Sequence, residues 1–252
     1  MGWAKYPWLV GKLFALFFIF VGGGVLATII VPVVMFTHHD RQEQTQNLVR
    51  VLFRFYLWLL QATKILSITF EGGQKLAQCK GAVVIANHPS LLDVVILMAY
   101  IPRAQCIVKH ELWNHFFLGC LMRAAGYIRN DLPPEDLVAS CRKNLQDGRC
   151  LIIFPEGTRT PIGTLPKLHR GFANIAFLTQ APIQTVVITC IPPTLYKGEP
   201  WWKVPLSPPV FSLVLGPYLD KGFYFQYGQR GIAVRKLVEY LDAYYRKMLS
   251  NG

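Results

Sequence analysis

Apolar residues recur in two different ways along this chain, and the pattern changes near residue 75. Residues 13–36 form one long apolar run without a charged side chain, whereas residues 48–70 mix apolar positions with Arg50, Arg54 and Lys64. Beyond residue 75, short β-rich runs alternate with segments of helical period. This alternation predicts an α/β domain, with a mostly parallel central sheet flanked by helices.

The predicted elements follow each other closely in the second part of the chain. Strands are predicted at 82–86, 105–109, 127–129, 150–154, 185–191 and 210–216. Helices are predicted from Pro89, over 113–125, from Pro133 or Pro134 to Gly148, and over 231–249, because proline favours a helix start and glycine follows a helix end. We therefore divide the chain into an N-terminal membrane segment with an interfacial helix, residues 1–72, and an α/β domain, residues 73–252.

The run at 13–36 is long enough to anchor the chain in a membrane, since about 20 apolar residues span a bilayer as a helix. Gly22–Gly24 and Pro32 interrupt it, so that it either crosses the bilayer or enters and returns. More basic residues follow the run than precede it, which puts the α/β domain in the cytoplasm.

The second apolar stretch, 48–70, has two interpretations. Arg50 and Arg54 lie four residues apart and share one face of a helix, as in an amphipathic helix at a membrane interface. The alternative is a helix that is buried against the α/β domain.

Composition narrows the class of protein. Hydrophobic residues make up 52% of the chain and charged residues only 16%, with a net charge of +12. An apolar, basic chain without a block of lysine and arginine is not a soluble nucleic-acid binder, and it fits an anionic lipid surface or a phosphate-bearing substrate. The six cysteines are scattered without a C-x-x-C pair, which indicates reduced thiols in a cytosolic environment.

The stretch VVIANHPSLLDVVIL at 83–97 places His88 and Asp93 between two apolar runs. Just before a helix start, the His88 imidazole can turn toward Asp93, which would orient the ring and leave its other nitrogen free to accept a proton. No G-x-S-x-G nucleophile motif is present, so the base is expected to activate a substrate hydroxyl, with Ser90 as a cap or backbone partner. For so short a motif, a structural histidine at a helix start is the alternative, and no cluster of further ligands indicates a metal site.

A second polar group follows the apolar strand in IIFPEGTR at 152–159. Arg159 can bind a phosphate with two parallel hydrogen bonds, Gly157 allows a close turn, and Glu156 can accept a hydrogen bond from a substrate hydroxyl. The alternative is a charged loop in which Glu156 and Arg159 pair with each other.

Together, NHPSLLD and FPEGTR resemble the 1-acylglycerol-3-phosphate acyltransferase family, the PlsC-like lysophospholipid acyltransferases. VKHEL at 108–112 with AAGYIRND at 124–131 is similar to the second block of the family, and VVITCIPP at 186–193 is similar to the fourth. In the second block the family often has an Asp-Arg pair after the glycine, whereas here Arg129 and Asn130 follow Gly126. This departure leaves the identity of the acceptor open.

The resemblance implies transfer of a fatty acyl group from acyl-CoA or acyl carrier protein to the free hydroxyl of 1-acylglycerol-3-phosphate, giving phosphatidate for phospholipid synthesis. In this reaction His88 and Asp93 would be catalytic. Glu156, Gly157, Thr158, Arg159, Arg129 and Lys109 would bind the acceptor. Another lysophospholipid, a lyso-ornithine lipid, a glycolipid or an aryl-polyene lipid is the alternative acceptor. The reaction needs no metal or bound cofactor, the partners are membrane lipids and not nucleic acid, and the expected location is the inner membrane of a bacterium, with the catalytic domain facing the cytoplasm.

Overall fold

The computed structural model describes residues 11, 14–15, 22, 41–115, 118–200, 203, 205 and 207–250. The strands are β1 Ser67–Glu71, β2 Val83–Ala86, β3 Ala104–Val108, β4 Ile128–Arg129, β5 Cys150–Ile153, β6 Ile183–Ile191 and β7 Val210–Leu219. The helices are α1 Arg41–Ala62, α2 Gly73–Ala77, α3 Asp93–Tyr100, α4 His110–Trp113, α5 Leu118–Ala124, α6 Pro134–Gln146, α7 Gly171–Thr179, α8 Lys221–Phe225 and α9 Arg230–Ser250.

The described strands form one seven-stranded sheet in the order β1-β7-β6-β2-β5-β3-β4. Neighbouring strands run parallel except for β6 and β7, which are antiparallel. The pairing of β6 with β7 has a register shift between Gln184 and Val186. The predicted α/β fold with a mostly parallel sheet is therefore confirmed. Strand β2 is the middle strand, so its carboxyl end lies in the position where parallel sheets place their active sites.

Helices cover both faces of the sheet, and strand β2 shows how the sequence builds two cores. All four residues of β2 are buried. Val84 and Ala86 pack toward the layer that contains α1 and α3, while Val83 and Ile85 pack toward the layer that contains α6, α7 and α9. A strand buried on both faces reads as a continuous apolar run, which explains why VVIA shows no polar alternation.

Two predicted helices differ from those observed. The helix predicted from Pro89 begins at Asp93, because the intervening N–H groups are bound elsewhere: Ser90 N–H by the Asp93 side chain and Leu91 N–H by the carbonyl of Leu195. In the range predicted as one helix, 113–125, the structure has helix α5 from Leu118 to Ala124, and Trp113 is the last residue of the separate helix α4.

The stretch 48–70 is helical only as far as Ala62, and residues from Ser67 onward form β1 of the sheet. The sheet thus includes residues that precede 73, where the α/β domain was predicted to begin; the division at 72 itself stays a prediction. Helix α1 packs one face on the domain and exposes Val51 and Trp58 on another. The packing of α1 on the domain is therefore as the second interpretation predicted, while the membrane interface stays a prediction.

The predicted membrane run at 13–36 lies outside the described residues, except for Phe14, Ala15 and Gly22. Among the helices that the structure describes, none has the length and apolar character needed to cross a bilayer.

Candidate active site

His88 and Asp93 meet at the carboxyl end of β2. The His88 Nδ1 atom lies 2.9 Å from Asp93 Oδ2, and the predicted contact between the two side chains is therefore present. Asp93 is fully buried, whereas the His88 side chain is 15% exposed. Since Nδ1 is directed at the carboxylate, the histidine keeps Nε2 for a substrate.

The bend between the two residues is held by hydrogen bonds that a helix would not allow. Asp93 Oδ2 also accepts the Ser90 N–H at 2.7 Å, and the Ser90 hydroxyl donates to the Thr194 carbonyl at 2.9 Å. Ser90 is thus a backbone partner, as expected. One carboxylate oxygen orients both the imidazole and the chain that carries it.

Burial changes the electrostatics of Asp93. Desolvation raises the pKa of this carboxyl to about 6, against the opposing effects of the hydrogen bond and charge of His88. Its Oδ1 atom has no hydrogen-bond partner among the described residues. A buried carboxylate with hydrogen bonds to only one of its two oxygens lowers the stability of the fold. Groups with such shifted pKa values concentrate at functional sites.

Glu156 fixes the main chain of His88 from the neighbouring strand. It follows β5, and its Oε1 accepts the His88 N–H at 2.9 Å, while Oε2 accepts the Thr160 hydroxyl. The Thr160 N–H in turn donates to the His88 carbonyl at 2.8 Å. Both carboxylate oxygens of Glu156 are therefore used within the chain, and its role in binding an acceptor stays a prediction.

Three further residues support the histidine and were not identified from the sequence. The Phe154 ring stacks on the His88 imidazole, with ring centroids 4.1 Å apart. Asn87 bonds both the N–H and the carbonyl of Ile188 on β6, each at 2.7 Å. The Tyr245 hydroxyl on α9 donates toward the carbonyls of β2 and β6, at 2.8 Å from the Ile85 oxygen. Only the aromatic ring in the IIFPEGTR stretch carried a local signal, because the other two contacts join distant parts of the chain.

The remaining EGTR residues form a loop beside His88. Gly157 has φ +67, in the left-handed region that favours glycine, which confirms the predicted close turn. Thr158 is exposed. Arg159 donates through Nη1 to the carbonyls of Leu195 and Tyr196, at 2.8 and 3.1 Å. No ion pair joins Glu156 and Arg159, so the alternative of an internal pair is wrong for these two described residues.

The other two predicted binding residues lie farther from the dyad. Lys109 follows β3, the second strand away from β2, and Arg129 ends β4, the third strand away and the edge of the sheet. From the spacing of adjacent strands, β3 lies about 10 Å and β4 about 14 Å from β2. Arg129 is paired with Asp131, with Nε 2.9 Å from Oδ1, and this pair raises the pKa of Arg129 and lowers that of Asp131. Of the three predicted basic residues, only Arg159 belongs to the loop that bonds the His88 main chain, which it does through the neighbouring Thr160.

A cleft of about 430 Å³ is lined by Asn87 and Pro89, the two neighbours of His88 in the chain, and by the loop that follows Arg159; His88, Asp93 and Arg159 themselves do not line it. Its wall is largely apolar and includes Ile162, Leu165, Ile191, Pro193 and Leu249. Clefts of this size, with mostly apolar walls and a few polar groups, are typical of small-molecule sites. This region of the structure thus contains an oriented histidine, an Arg159 guanidinium of which only Nη1 has partners among the described residues, and an apolar cleft.

Comparison with known proteins agrees with this geometry. Residues 67–189 match the sequence model of the Acyltransferase family. The chain is 33% identical over 143 residues to 1-acyl-sn-glycerol-3-phosphate acyltransferase from Cocos nucifera, covering 54% of this chain and 44% of that protein. It is 36% identical over 127 residues to the enzyme of the same name from Helicobacter pylori, covering 48% of this chain and 50% of that protein.

The fold has a solved counterpart. The crystal structure of the 1-acyl-sn-glycerophosphate acyltransferase PlsC from Thermotoga maritima superposes with a TM-score of 0.73, at 21% identity and over 98% of each chain. The superposition confirms the fold, an α/β domain with one seven-stranded sheet. Residues 67–189, just under half of the chain, carry the match to the Acyltransferase family, and the motifs within them resemble those of the PlsC-like enzymes. The alignments of the chain span about half the length of the curated relatives above.

Proposed function

We propose that this protein is a membrane-bound O-acyltransferase that moves a fatty acyl group from a thioester to the free hydroxyl of 1-acylglycerol-3-phosphate, giving phosphatidate. The observation that carries the proposal is the His88–Asp93 pair beside an apolar cleft, within a domain of the acyltransferase family. The names of the relatives support 1-acylglycerol-3-phosphate as the acceptor.

In the proposed reaction, His88 Nε2 removes the proton of the acceptor hydroxyl while Nδ1–H remains bonded to Asp93. The hydroxyl oxygen attacks the thioester carbonyl, and the tetrahedral intermediate collapses as the C–S bond breaks. The imidazolium then returns its proton to the leaving thiolate. Asp93 stabilises the imidazolium during both transfers, because its carboxylate is buried and already in place.

The oxyanion of this reaction needs donors other than the first turn of α3. The N–H groups of residues 90–93 are all bound within the chain, to the Asp93 carboxylate, the Leu195 carbonyl and the oxygens of Ser90. In the loop after β5, Arg159 keeps Nε and Nη2 without a partner among the described residues, and these donors can meet an anionic group of the substrate. The same guanidinium is the nearest predicted ligand for the acceptor phosphate.

The membrane location and the acyl donor belong to the proposal too. The uncharged run at 13–36 and the net charge of +12 support a site at the inner membrane of a bacterium, with the catalytic domain in the cytoplasm. The donor is an acyl thioester of CoA or of acyl carrier protein.

The direct experiment measures thiol release by the purified chain in nonionic detergent, from palmitoyl-CoA and from palmitoyl-carrier protein. Release should require both 1-acylglycerol-3-phosphate and His88, and His115→Ala serves as the matched histidine control because His115 lies in the exposed turn after α4. Acceptor-dependent release that survives in a folded His88→Ala variant would contradict the mechanism.

One observation favours a second acceptor class with the same chemistry. Arg129 is already neutralised by Asp131 and lies on the edge strand, so fewer free cations face an acceptor phosphate than the second family block implied. Another lysophospholipid, a lyso-ornithine lipid, a glycolipid or an aryl-polyene lipid remains the alternative. Glycerol 3-phosphate should compete if the acceptor carries a phosphomonoester and should have no effect otherwise.

A further inference from the structure

The segment that follows β6, residues 192–199, is bonded to the active site through two main-chain carbonyls. The Leu195 carbonyl accepts both the Leu91 N–H, at 3.1 Å, and Arg159 Nη1, at 2.8 Å. The Tyr196 carbonyl accepts the same Nη1 at 3.1 Å. Because a guanidinium group is planar and rigid, fixing one of its nitrogens on two carbonyls also fixes the direction of the others. The 192–199 segment therefore sets the direction in which Arg159 Nε and Nη2 point.

The main chain of Leu195 has an unusual conformation at this point. Its φ is +54, in the left-handed region that side chains other than glycine adopt at a cost. Its side chain is buried in the core layer that contains α1 and α3. Such a conformation persists only where the surrounding structure holds it, and it occurs most often at functional sites. Leu195 thus needs contacts that keep its peptide groups in place.

Glu199 supplies such a contact from within the same segment. Its Oε2 accepts the Leu195 N–H, and its Oε1 lies 3.9 Å from Lys203 Nζ. The Glu199 side chain is only 2% exposed, so that this carboxylate has left water for a main-chain N–H and one lysine. The Glu199 N–H donates to the Tyr196 carbonyl at 3.2 Å and closes the turn. Both polar groups of the Leu195 main chain are therefore fixed, the N–H by Glu199 and the carbonyl by the donors of the active site.

We propose that Glu199 is a positioning residue for the acceptor: it holds Leu195 in the left-handed conformation, and the Leu195 carbonyl directs Arg159 Nε and Nη2 toward the acceptor phosphate. Glu199 acts through Leu195 and Arg159 and touches no substrate atom itself. This role rests on the proposed function, in which Arg159 is the nearest predicted ligand of that phosphate. Its loss should weaken acceptor binding more than the chemical step, because His88 and Asp93 keep their own hydrogen bonds.

The kinetic test measures thiol release by the full chain in nonionic detergent, at saturating palmitoyl-CoA and varied 1-acylglycerol-3-phosphate. Glu199→Ala should raise KM for the acceptor about tenfold and lower kcat by no more than about threefold. Glu199→Gln keeps an oxygen for the Leu195 N–H and should restore most of the affinity. Glu135→Ala, at the exposed start of α6, is the matched control and should leave KM unchanged. A fall in kcat at unchanged KM, or a Glu199→Gln variant as weak as Glu199→Ala, would overturn the proposal.

A double-mutant cycle tests whether the effect passes through the guanidinium. If Glu199 acts on the acceptor only by directing Arg159, then Glu199→Ala should raise KM no further in an Arg159→Ala background. Additive effects of the two substitutions on KM would contradict this route.

A measurement without substrate separates this proposal from the proposed function. Phenylglyoxal modifies arginine side chains, and peptide mass spectrometry gives the rate at Arg159, with the exposed Arg54 as the internal reference. Glu199→Ala should speed the modification of Arg159 several-fold relative to Arg54, because the carbonyls that hold Nη1 are released, and Glu199→Gln should not. An unchanged rate at Arg159 in Glu199→Ala would overturn the positioning role even if thiol release is as proposed. Absence of thiol release in the original chain, with the faster modification present, would overturn the proposed function instead.

Discussion

Asp93→Asn separates catalysis from stability, because the two should change in opposite directions. The carboxyl of Asp93 is fully buried, and its pKa rises from 3.8 to about 6. At about 1.36 kcal/mol per pKa unit, the ionised form costs the folded state about 3 kcal/mol. Asparagine removes the charge and keeps an oxygen for the Ser90 N–H. We therefore expect the free energy of unfolding at pH 8 to rise by about 1–3 kcal/mol.

The sign of the pH dependence follows from the raised pKa. Between 3.8 and 6 the folded state keeps a proton that the unfolded state has lost, so the contribution of Asp93 to stability falls as pH rises through this window. The stability difference between Asp93→Asn and the original chain should therefore be largest above pH 6 and should fall to about half at pH 5. Urea unfolding in nonionic detergent, followed by tryptophan fluorescence at pH 5 and 8, measures it.

Activity should change in the other direction. The asparagine oxygen can still accept the hydrogen bond of His88 Nδ1–H, but it carries no negative charge to stabilise the imidazolium, so kcat should fall on the order of 10³-fold. In the original chain, kcat should fall as pH decreases through about 6, because protonated Asp93 no longer accepts that hydrogen bond. The reasoning is refuted if Asp93→Asn is less stable at pH 8, or if its stability difference does not depend on pH.

Three other substitutions test the support around His88. Glu156→Ala should lower kcat by about 10²-fold through misplacement of the His88 main chain, and Glu156→Gln should restore part of it, measured by thiol release. Gly157→Ala should lower the free energy of unfolding by about 1–2 kcal/mol, because its φ of +67 is unfavourable for alanine. Space is not the cause, since the nearest atom to an added Cβ is His169 Cδ2 at 3.9 Å. Asparagine tolerates this backbone region, so Gly157→Asn should cost less when both variants are unfolded in urea. Tyr245→Phe should cost about 1 kcal/mol by losing a buried hydrogen bond, and no change in the unfolding midpoint would contradict the contact at the end of β2.

The short-range features of this protein were determined by the sequence alone. Apolar runs at period 2 or without alternation predicted the strands. The short spacing of His88 and Asp93 predicted their contact, because a bend between residues five positions apart brings the two side chains within hydrogen-bond distance. The close turn at Gly157 was also predicted, and the structure adds that its φ of +67 lies in the left-handed region. The motifs that contain these residues resemble those of the acyltransferases, and this resemblance connected the local signals to a proposed reaction.

The tertiary structure alone decided how distant segments meet. Glu156 reaches the His88 N–H across 68 positions, and it can do so only because β5 pairs directly with β2. Arg129 follows a strand of the same sheet, yet the order of the strands places it at the edge and beside Asp131. Strand order depends on the packing of every layer at once, and no local pattern encodes it.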